Sequence, residues 1–129
     1  WNGAAADLFV GWLDAASGER NLLRAMFLPP ALQALVEDWP HRAARLVAEF
    51  RVHSLRHAED PPTRALIERL MEDSPAFAAA WRSQDVDERQ GGRRGFHHPT
   101  RGLVYFEQLT LVPPAAPGMM LVMLLPESP

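Results

Sequence analysis

The sequence predicts an α/β protein of the α+β kind, with several short helices first and an antiparallel sheet last. Apolar residues recur at three- and four-residue intervals from Asn2 to about Gln84, and they alternate with polar residues from about Val86 to Leu125. The chain has 129 residues, of which 47% are apolar, and this size and composition are typical of one globular domain. We therefore expect one domain over residues 1–129, in which an N-terminal layer of helices covers the sheet.

Capping residues and prolines divide the helical part into six segments. A cap accepts a hydrogen bond from the first turn, whereas proline has no N–H and interrupts a helix interior. Pro29-Pro30 therefore ends the second helix, and Pro40 separates a third helix that includes Trp39 from a fourth over His41 to His57. The predicted caps are Asn2, Asn21, Asp60 and Ser74. The predicted inward-facing residues, helix by helix, are Leu8, Phe9, Trp12 and Leu13; Leu22, Leu23, Met26 and Phe27; Leu32, Leu35, Val36 and Trp39; Ala43, Leu46, Val47 and Phe50; Leu66, Ile67, Leu70 and Met71; and Phe77, Ala78 and Trp81.

The C-terminal third predicts strands joined by turns. Gly91-Gly92 ends a first extended piece, Arg93 to His98 forms a second, and Pro99 with Gly102 favours a tight reversal. From Leu103 to Val112, odd-numbered residues share one face and even-numbered residues the other. Met119 to Leu125 is apolar on both faces and should be covered on both. The helices can cover one face, and a partner chain, a segment upstream of Trp1 or an apolar ligand can cover the other.

The composition excludes several function classes. A net charge of −3 argues against a nucleic-acid surface. The absence of cysteine excludes disulfides, thiolate nucleophiles and cysteine-ligated zinc, and all 13 basic residues are arginine, which excludes a lysine Schiff base. The start at Trp1, without an initiator Met or a signal-peptide pattern, is typical of a trimmed fragment of a cytoplasmic protein. The longest apolar run, Met119 to Leu125, is far shorter than the roughly 20 residues of a membrane-spanning helix.

No group of residues predicts catalysis. His53 and His57 share a helix face but lack a third metal ligand, and the neighbours His97 and His98 point to opposite faces of a strand. The acidic pairs lie at segment ends, and no serine has the surroundings of a nucleophile. We expect no enzyme, no metal and no cofactor, and we expect His98 to hydrogen-bond a carbonyl of its turn.

Arg51 lies at the edge of the apolar stripe of the fourth helix, one residue after Phe50. A buried cation needs a partner. One alternative is a salt bridge to Asp60 or Asp73, and the other is a bound acid, whose carboxylate a planar guanidinium can receive through two hydrogen bonds. The methionines near the last strand likewise either fill the core or line an adaptable apolar cavity.

A series of short motifs extends over nearly the whole chain, and their order and spacing are more specific than any one of them. The motifs are Trp1-Asn2, Asn21-Leu22-Leu23 with Phe27, Trp39, Leu46 to Arg51, Asp60-Pro61, Ser74-Pro75-Ala76-Phe77 with Trp81, Val86, and Phe96-His97-His98-Pro99 with Gly102. Together they resemble the ligand-binding domain of the MmyB-like family of XRE-type helix-turn-helix transcription regulators.

The resemblance implies a PAS-like domain that senses a small apolar molecule, with a fatty acid as the best candidate. DNA would be contacted only by a helix-turn-helix domain upstream of Trp1. We expect the ligand between the helices and the sheet of a cytoplasmic homodimer that has no contact with membranes. The alternative is a dimerisation module of the same regulator that binds no small molecule. The predicted ligand-binding residues are Leu23, Phe27, Leu46, Phe50, Arg51, Trp81, His98, Tyr105 and Met123.

Overall fold

The computed structural model describes residues 1–14, 20–83 and 92–127. It confirms the α+β class. The chain divides into two compact units, a helical unit over Trp1–Glu88 and a sheet unit over Arg89–Pro129. Within the described residues, no helix combines the length and apolar character needed to cross a membrane. The elements are α1 (Gly3–Leu8), α2 (Leu22–Phe27), α3 (Ala31–Leu35), α4 (Trp39–Arg56), α5 (Pro61–Asp73), α6 (Pro75–Arg82), β1 (Gly92–His98), β2 (Gly102–Leu111) and β3 (Leu121–Pro126).

All four predicted helix caps are confirmed. The side chains of Asn2, Asn21, Asp60 and Ser74 each accept a hydrogen bond from the backbone N–H three residues further on, at 2.9 to 3.2 Å. Each cap satisfies one N–H that the first turn of its helix leaves without a helical partner. The starts of α1, α2, α5 and α6 are therefore encoded locally.

Two helix boundaries differ from the prediction. α1 ends at Leu8, and residues 9–14 form turns because Gly11 adopts a left-handed φ of 87°. A Cβ at Gly11 would lie only 2.8 Å from the Cβ of Ala31, so this close approach also favours glycine. Trp39 begins α4 instead of ending α3, after Asp38 at a φ of 50°. Pro40 then lies in the first turn, where its missing N–H costs no helical hydrogen bond.

The core of the helical unit is built from the apolar faces of its helices. Phe77, Leu32, Leu70 and Val47 are the largest side chains that are almost completely buried. In α4, Ala43, Val47 and Ala48 are buried, whereas Leu46 and Phe50, both predicted to face inward, are half-buried. Leu46 and Phe50 therefore keep some exposed side-chain surface on α4.

The sheet has the order β1-β2-β3, and both strand pairs are antiparallel. In the register, Gly95 faces Tyr105 and Leu109 faces Met123, so the predicted odd-and-even alternation is confirmed. The even-numbered face carries the buried side chains, which are Phe96, His98 and Phe106. The odd-numbered face exposes Leu103, Leu109, Leu111, Leu121 and Leu125.

The last strand begins two residues later than predicted. The N–H of Met119 donates to the carbonyl of Ala116 at 3.0 Å, which keeps Met119 in the turn before β3. Leu121 and Val122, which point to opposite faces, are 53% and 50% exposed. Cover on both faces by the helices and by a partner chain, an upstream segment or a ligand stays a prediction. The extended piece predicted before Gly92 lies outside the described residues.

Candidate ligand-binding site

Five aromatic side chains form a connected cluster inside the helical unit: Phe27, Trp39, Phe50, Phe77 and Trp81. The ring of Phe27 meets Trp39 and Phe77 edge-on, at 5.6 and 5.4 Å between centroids. Phe77 stacks on Trp81 at 5.7 Å, and Phe50 lies 6.1 Å from Trp81. These separations are typical of attractive aromatic pairs. The cluster thus joins α2, α4 and α6 through side chains.

Local sequence explains how α6 presents its rings. The hydroxyl of Ser74, which is buried, accepts the N–H of Phe77 at 3.1 Å and starts the helix just before the cluster. Phe77 and Trp81 then stand four residues apart on the same face. On the opposite side of the cluster, Trp39 donates its indole N–H to the carbonyl of Met26 at 3.0 Å, which fixes the orientation of that ring.

Arg51 places a cation against this cluster. Its guanidinium carbon lies 4.2 Å from the ring centroid of Trp81, within the range of a cation–π contact. Its Nε and Nη2 atoms are buried and have no hydrogen-bond partner in the described part of the chain. Nε and Nη2 form one edge of the planar group, so two adjacent N–H donors point from this edge without an acceptor.

In the sheet unit, the Nε–Nη2 edge of Arg93 is paired with a carboxylate. Its guanidinium lies over Tyr105 at 3.6 Å, while Nε and Nη2 donate to the two carboxylate oxygens of Glu127 at 2.7 and 3.0 Å. The hydrogen bond from Arg93 holds the pKa of the Glu127 carboxyl below its ordinary value. Both arginines therefore lie on an aromatic ring, but within residues 1–14, 20–83 and 92–127 only Arg93 has a carboxylate at its Nε–Nη2 edge.

The salt bridge that the sequence suggested for Arg51 does not form. A carboxylate oxygen of Asp60 accepts both the hydroxyl and the backbone N–H of Thr63, at 2.6 and 3.1 Å, as the cap of α5. These hydrogen bonds lower the pKa of Asp60. Asp73 instead pairs with Arg69, four residues earlier on α5, at 3.2 Å. Both carboxylates therefore interact with nearby residues of α5, and neither pairs with Arg51.

The other predicted ligand-binding residues belong to both units. In the helical unit, Leu23 is buried on α2 and Leu46 is half-buried on α4. In the sheet unit, Tyr105 and Met123 share the odd-numbered face, whereas His98 lies on the even-numbered face. The helical unit thus brings Phe27, Phe50, Arg51 and Trp81 together, while the sheet separates His98 from Tyr105 and Met123.

His98 stabilises the turn between β1 and β2 through its Nδ1 atom, and the expected hydrogen bond to a carbonyl stays a prediction. Its Nδ1 accepts the backbone N–H groups of Thr100 and Arg101, both at 3.2 Å. An acceptor at Nδ1 requires that this nitrogen carry no proton. The turn, which contains Pro99, supplies donors because its N–H groups have no strand partner.

Sequence reasoning missed the position of Phe77 at the centre of the site. Phe77 is fully buried and contacts both Phe27 and Trp81. The signal was present, because Phe77 and Trp81 are spaced four residues apart after a Ser74-Pro75 helix start. Periodicity assigns such a pair to the core and gives no information about a neighbouring cation from another helix.

His53 on α4 and His57, the residue that follows this helix, are close to each other. The rings of His53 and His57 are 4.5 Å apart, and His53 also stacks on Phe50 at 6.2 Å. Among the described residues, no three His, Cys, Asp or Glu side chains are grouped so that they could hold a metal ion.

No curated protein and no solved structure matches the chain. The family model of the MmyB-like transcription regulator ligand binding domain matches residues 1–129. This match agrees with the ordered motifs from Trp1 to Gly102. The chain therefore belongs to the ligand-binding domains of MmyB-like transcription regulators.

Proposed function

We propose that this domain senses a small apolar molecule with an acid group, with a fatty acid as the best candidate, and that Arg51 receives the acid. The observation that carries the proposal is the buried Nε–Nη2 edge of Arg51, which has no partner in the described residues. A carboxylate fits this edge in the way that Glu127 fits Arg93, through two parallel hydrogen bonds. Charge and shape both favour a carboxylic acid over a neutral ligand.

The surroundings of Arg51 suit an apolar ligand body. Trp81 contacts the guanidinium and Phe50 lies 6.1 Å from Trp81, and both rings are half-buried, so each has ring surface that a ligand could cover. Burying an alkyl chain yields roughly 0.8 kcal/mol per CH₂, so a dozen methylenes supply about 10 kcal/mol before association costs. We extend the proposed lining to Leu23, Phe27 and Leu46, the other predicted ligand-binding residues of the helical unit.

The regulatory part of the proposal follows from the family. A ligand-binding domain of a transcription regulator must communicate occupancy to DNA binding. We propose a helix-turn-helix domain as the DNA-binding partner, since this acidic domain has a net charge of −3 and is poorly suited to contact phosphates itself. The ligand would shift the equilibrium between two states of the regulator by binding one of them more tightly.

A comparison of acids with their uncharged derivatives tests the proposal. Protein stripped of lipid is analysed by native mass spectrometry and thermal unfolding with C10–C18 fatty acids and with the methyl ester of each acid. We expect a one-to-one complex and a raised Tm with an acid, and a much smaller shift with its ester. No shift with any acid, or equal shifts with acid and ester, would overturn the role given to Arg51.

A second candidate function is dimerisation through the odd-numbered face of the sheet. Leu109, Leu111, Leu121 and Leu125 are between 43% and 53% exposed there and lie on adjacent strands. Contiguous exposed apolar surface is typical of an interaction site. A second copy of the chain would cover this face in an isologous dimer.

Sedimentation velocity separates this candidate from ligand sensing. A dimerisation module would sediment as a dimer without ligand, and Met123→Asp on the odd-numbered face would yield monomers. Leu55→Asp is the matched control, because Leu55 is 73% exposed on α4 and belongs to the helical unit. A monomeric wild type at micromolar concentration would exclude a dimer of useful affinity.

A further inference from the structure

Two histidine rings lie side by side at the C-terminal end of α4. His53 is in the last turn of the helix and His57 is the residue that follows it, so the two side chains are about one turn apart on one face. Their ring centroids are 4.5 Å apart, with an angle of 37° between the ring planes. Both residues are exposed, so an ion can reach the pair from solvent.

The nitrogen atoms of both rings are free to bind a ligand. Within residues 1–14, 20–83 and 92–127, the two rings contact each other, and His53 also stacks on Phe50, but neither ring has a hydrogen-bond partner. A neutral imidazole has one nitrogen that carries a lone pair, and this is the atom that binds a metal. Each ring can therefore present a lone pair to an ion without losing a hydrogen bond.

The spacing of the rings suits a shared metal ion. An imidazole nitrogen lies about 2.0–2.1 Å from Zn²⁺, which places the ion about 3.2 Å from the ring centre. Two rings on one ion then have centroids about 4.5 Å apart at a right angle and about 5.2 Å apart at a tetrahedral angle. The separation of 4.5 Å between His53 and His57 falls in this range, so the two rings need no large change in separation to share an ion.

The charges around the pair are mixed. The backbone N–H of Asp60 donates to the carbonyl of His57 at 3.0 Å, and the pKa of Asp60 is lowered by hydrogen bonds from Thr63 and, to a smaller extent, by the charge of His57. The end of the helix, with its partial negative charge, also favours a cation. Three arginines oppose it: Arg56 on the same turn, and Arg24 and Arg69 in the cleft that His53 lines. The affinity must therefore come from coordination by the two nitrogens.

We infer that His53 and His57 together bind one Zn²⁺ ion, or a similar divalent transition-metal ion, through one nitrogen of each ring, with water at the remaining positions. Among the described residues, no third His, Cys, Asp or Glu side chain completes a metal-binding group with them, so the ion stays open to solvent. Imidazole is a preferred ligand of such ions, whereas Mg²⁺ prefers oxygen. A bound ion would tie His57 to the last turn of α4 and so stabilise the end of this helix. The inference is independent of the proposed function, because neither histidine belongs to the proposed acid site.

Calorimetric titration with ZnCl₂, in a buffer that does not bind metals, tests the inference. We expect one ion per chain. His53→Asn and His57→Asn should each weaken binding at least about tenfold, because the second imidazole no longer binds the same ion intramolecularly. His41→Asn is the matched control, since His41 is an exposed histidine in the first turn of the same helix. In NMR spectra of the imidazole groups, Zn²⁺ should shift the signals of His53 and His57 and leave that of His41 in place.

Four results would overturn the inference: no binding of Zn²⁺ at millimolar concentration, unchanged affinity in His53→Asn or His57→Asn, equal weakening in His41→Asn, or equal binding of Mg²⁺. Both paired histidines are exposed, so their variants should keep the wild-type Tm without metal. Arg51→Met should leave Zn²⁺ binding unchanged, so a loss of fatty-acid binding in that variant bears on the proposed function alone.

Discussion

Replacing Arg51 with methionine should change stability and ligand affinity in opposite directions. In the ligand-free protein, Nε and Nη2 are buried without a partner in the described residues, and each such donor costs about 1–3 kcal/mol. Methionine removes both donors and keeps the apolar stem. At the low end of that range the variant gains about 2 kcal/mol and loses about 1 kcal/mol of cation–π attraction to Trp81. We therefore expect a free energy of unfolding about 1 kcal/mol higher than that of the wild type.

The same substitution should lower the affinity of the protein for an acid. A hydrogen bond to a charged group contributes about 1.5–3 kcal/mol, so loss of the edge should weaken dodecanoate at least about tenfold. Urea unfolding of lipid-free protein and calorimetric titration with dodecanoate measure the two quantities. Arg56→Met, an exposed arginine on α4, is the control and should leave both nearly unchanged.

One combination of results would refute this reasoning. If Arg51 were already paired in the free protein, its removal would leave a buried charge alone and cost about 3–5 kcal/mol. A large destabilisation with unchanged dodecanoate affinity would make Arg51 a structural residue.

Three other predictions concern the fold that supports the site. Phe77→Ala should lower the free energy of unfolding by about 3–5 kcal/mol in urea, because it empties the centre of the core, whereas Leu55→Ala at an exposed position should stay within about 0.5 kcal/mol. Equal effects would contradict the burial of Phe77. His98→Phe should cost about 1–3 kcal/mol by leaving turn N–H groups without their acceptor, and His98→Asn, which retains an acceptor, should cost less. Similar losses would mean that packing alone matters there. The pKa of Asp60 is lowered by hydrogen bonds from Thr63, so its stabilisation of α5 is present above the ordinary aspartate pKa and is lost as pH falls through the folded pKa. Amide protection of Thr63 should fall in acid, and Asp60→Asn, which does not titrate, should remove that acid-dependent step.

Much of the fold can be predicted because its signals are local. Asp60 and Ser74 are each followed by proline, so the starts of α5 and α6 depend on neighbouring residues only. The alternation along β2 likewise determines which residues share a face once the strand is recognised. Trp39 was misassigned because its spacing from Leu32 and Leu35 continues the apolar period of α3. The left-handed backbone of Asp38, which separates the two helices, has no clear sequence signal.

The candidate site could be predicted only in part, because it depends on contacts between helices. Arg51 was identified from its position beside an apolar stripe, and its packing on Trp81 brings α4 and α6 together. The sequence does not reveal that Asp60 accepts a hydrogen bond from Thr63 and that Asp73 pairs with Arg69, and these interactions occur instead of a salt bridge to Arg51.

The order of the strands has a consequence for how the chain folds. Neighbours in the sheet are also neighbours in the sequence, so β1 and β2 pair after closing a loop of residues 99–101, and β2 and β3 after closing residues 112–120. Short loops cost little closure entropy, and local contacts speed folding. Gly102, at a φ of 72°, makes the first reversal possible without backbone strain. The sheet can therefore form early as two successive hairpins, and its rate of formation should depend more on the turn at Gly102 than on any side chain of the core.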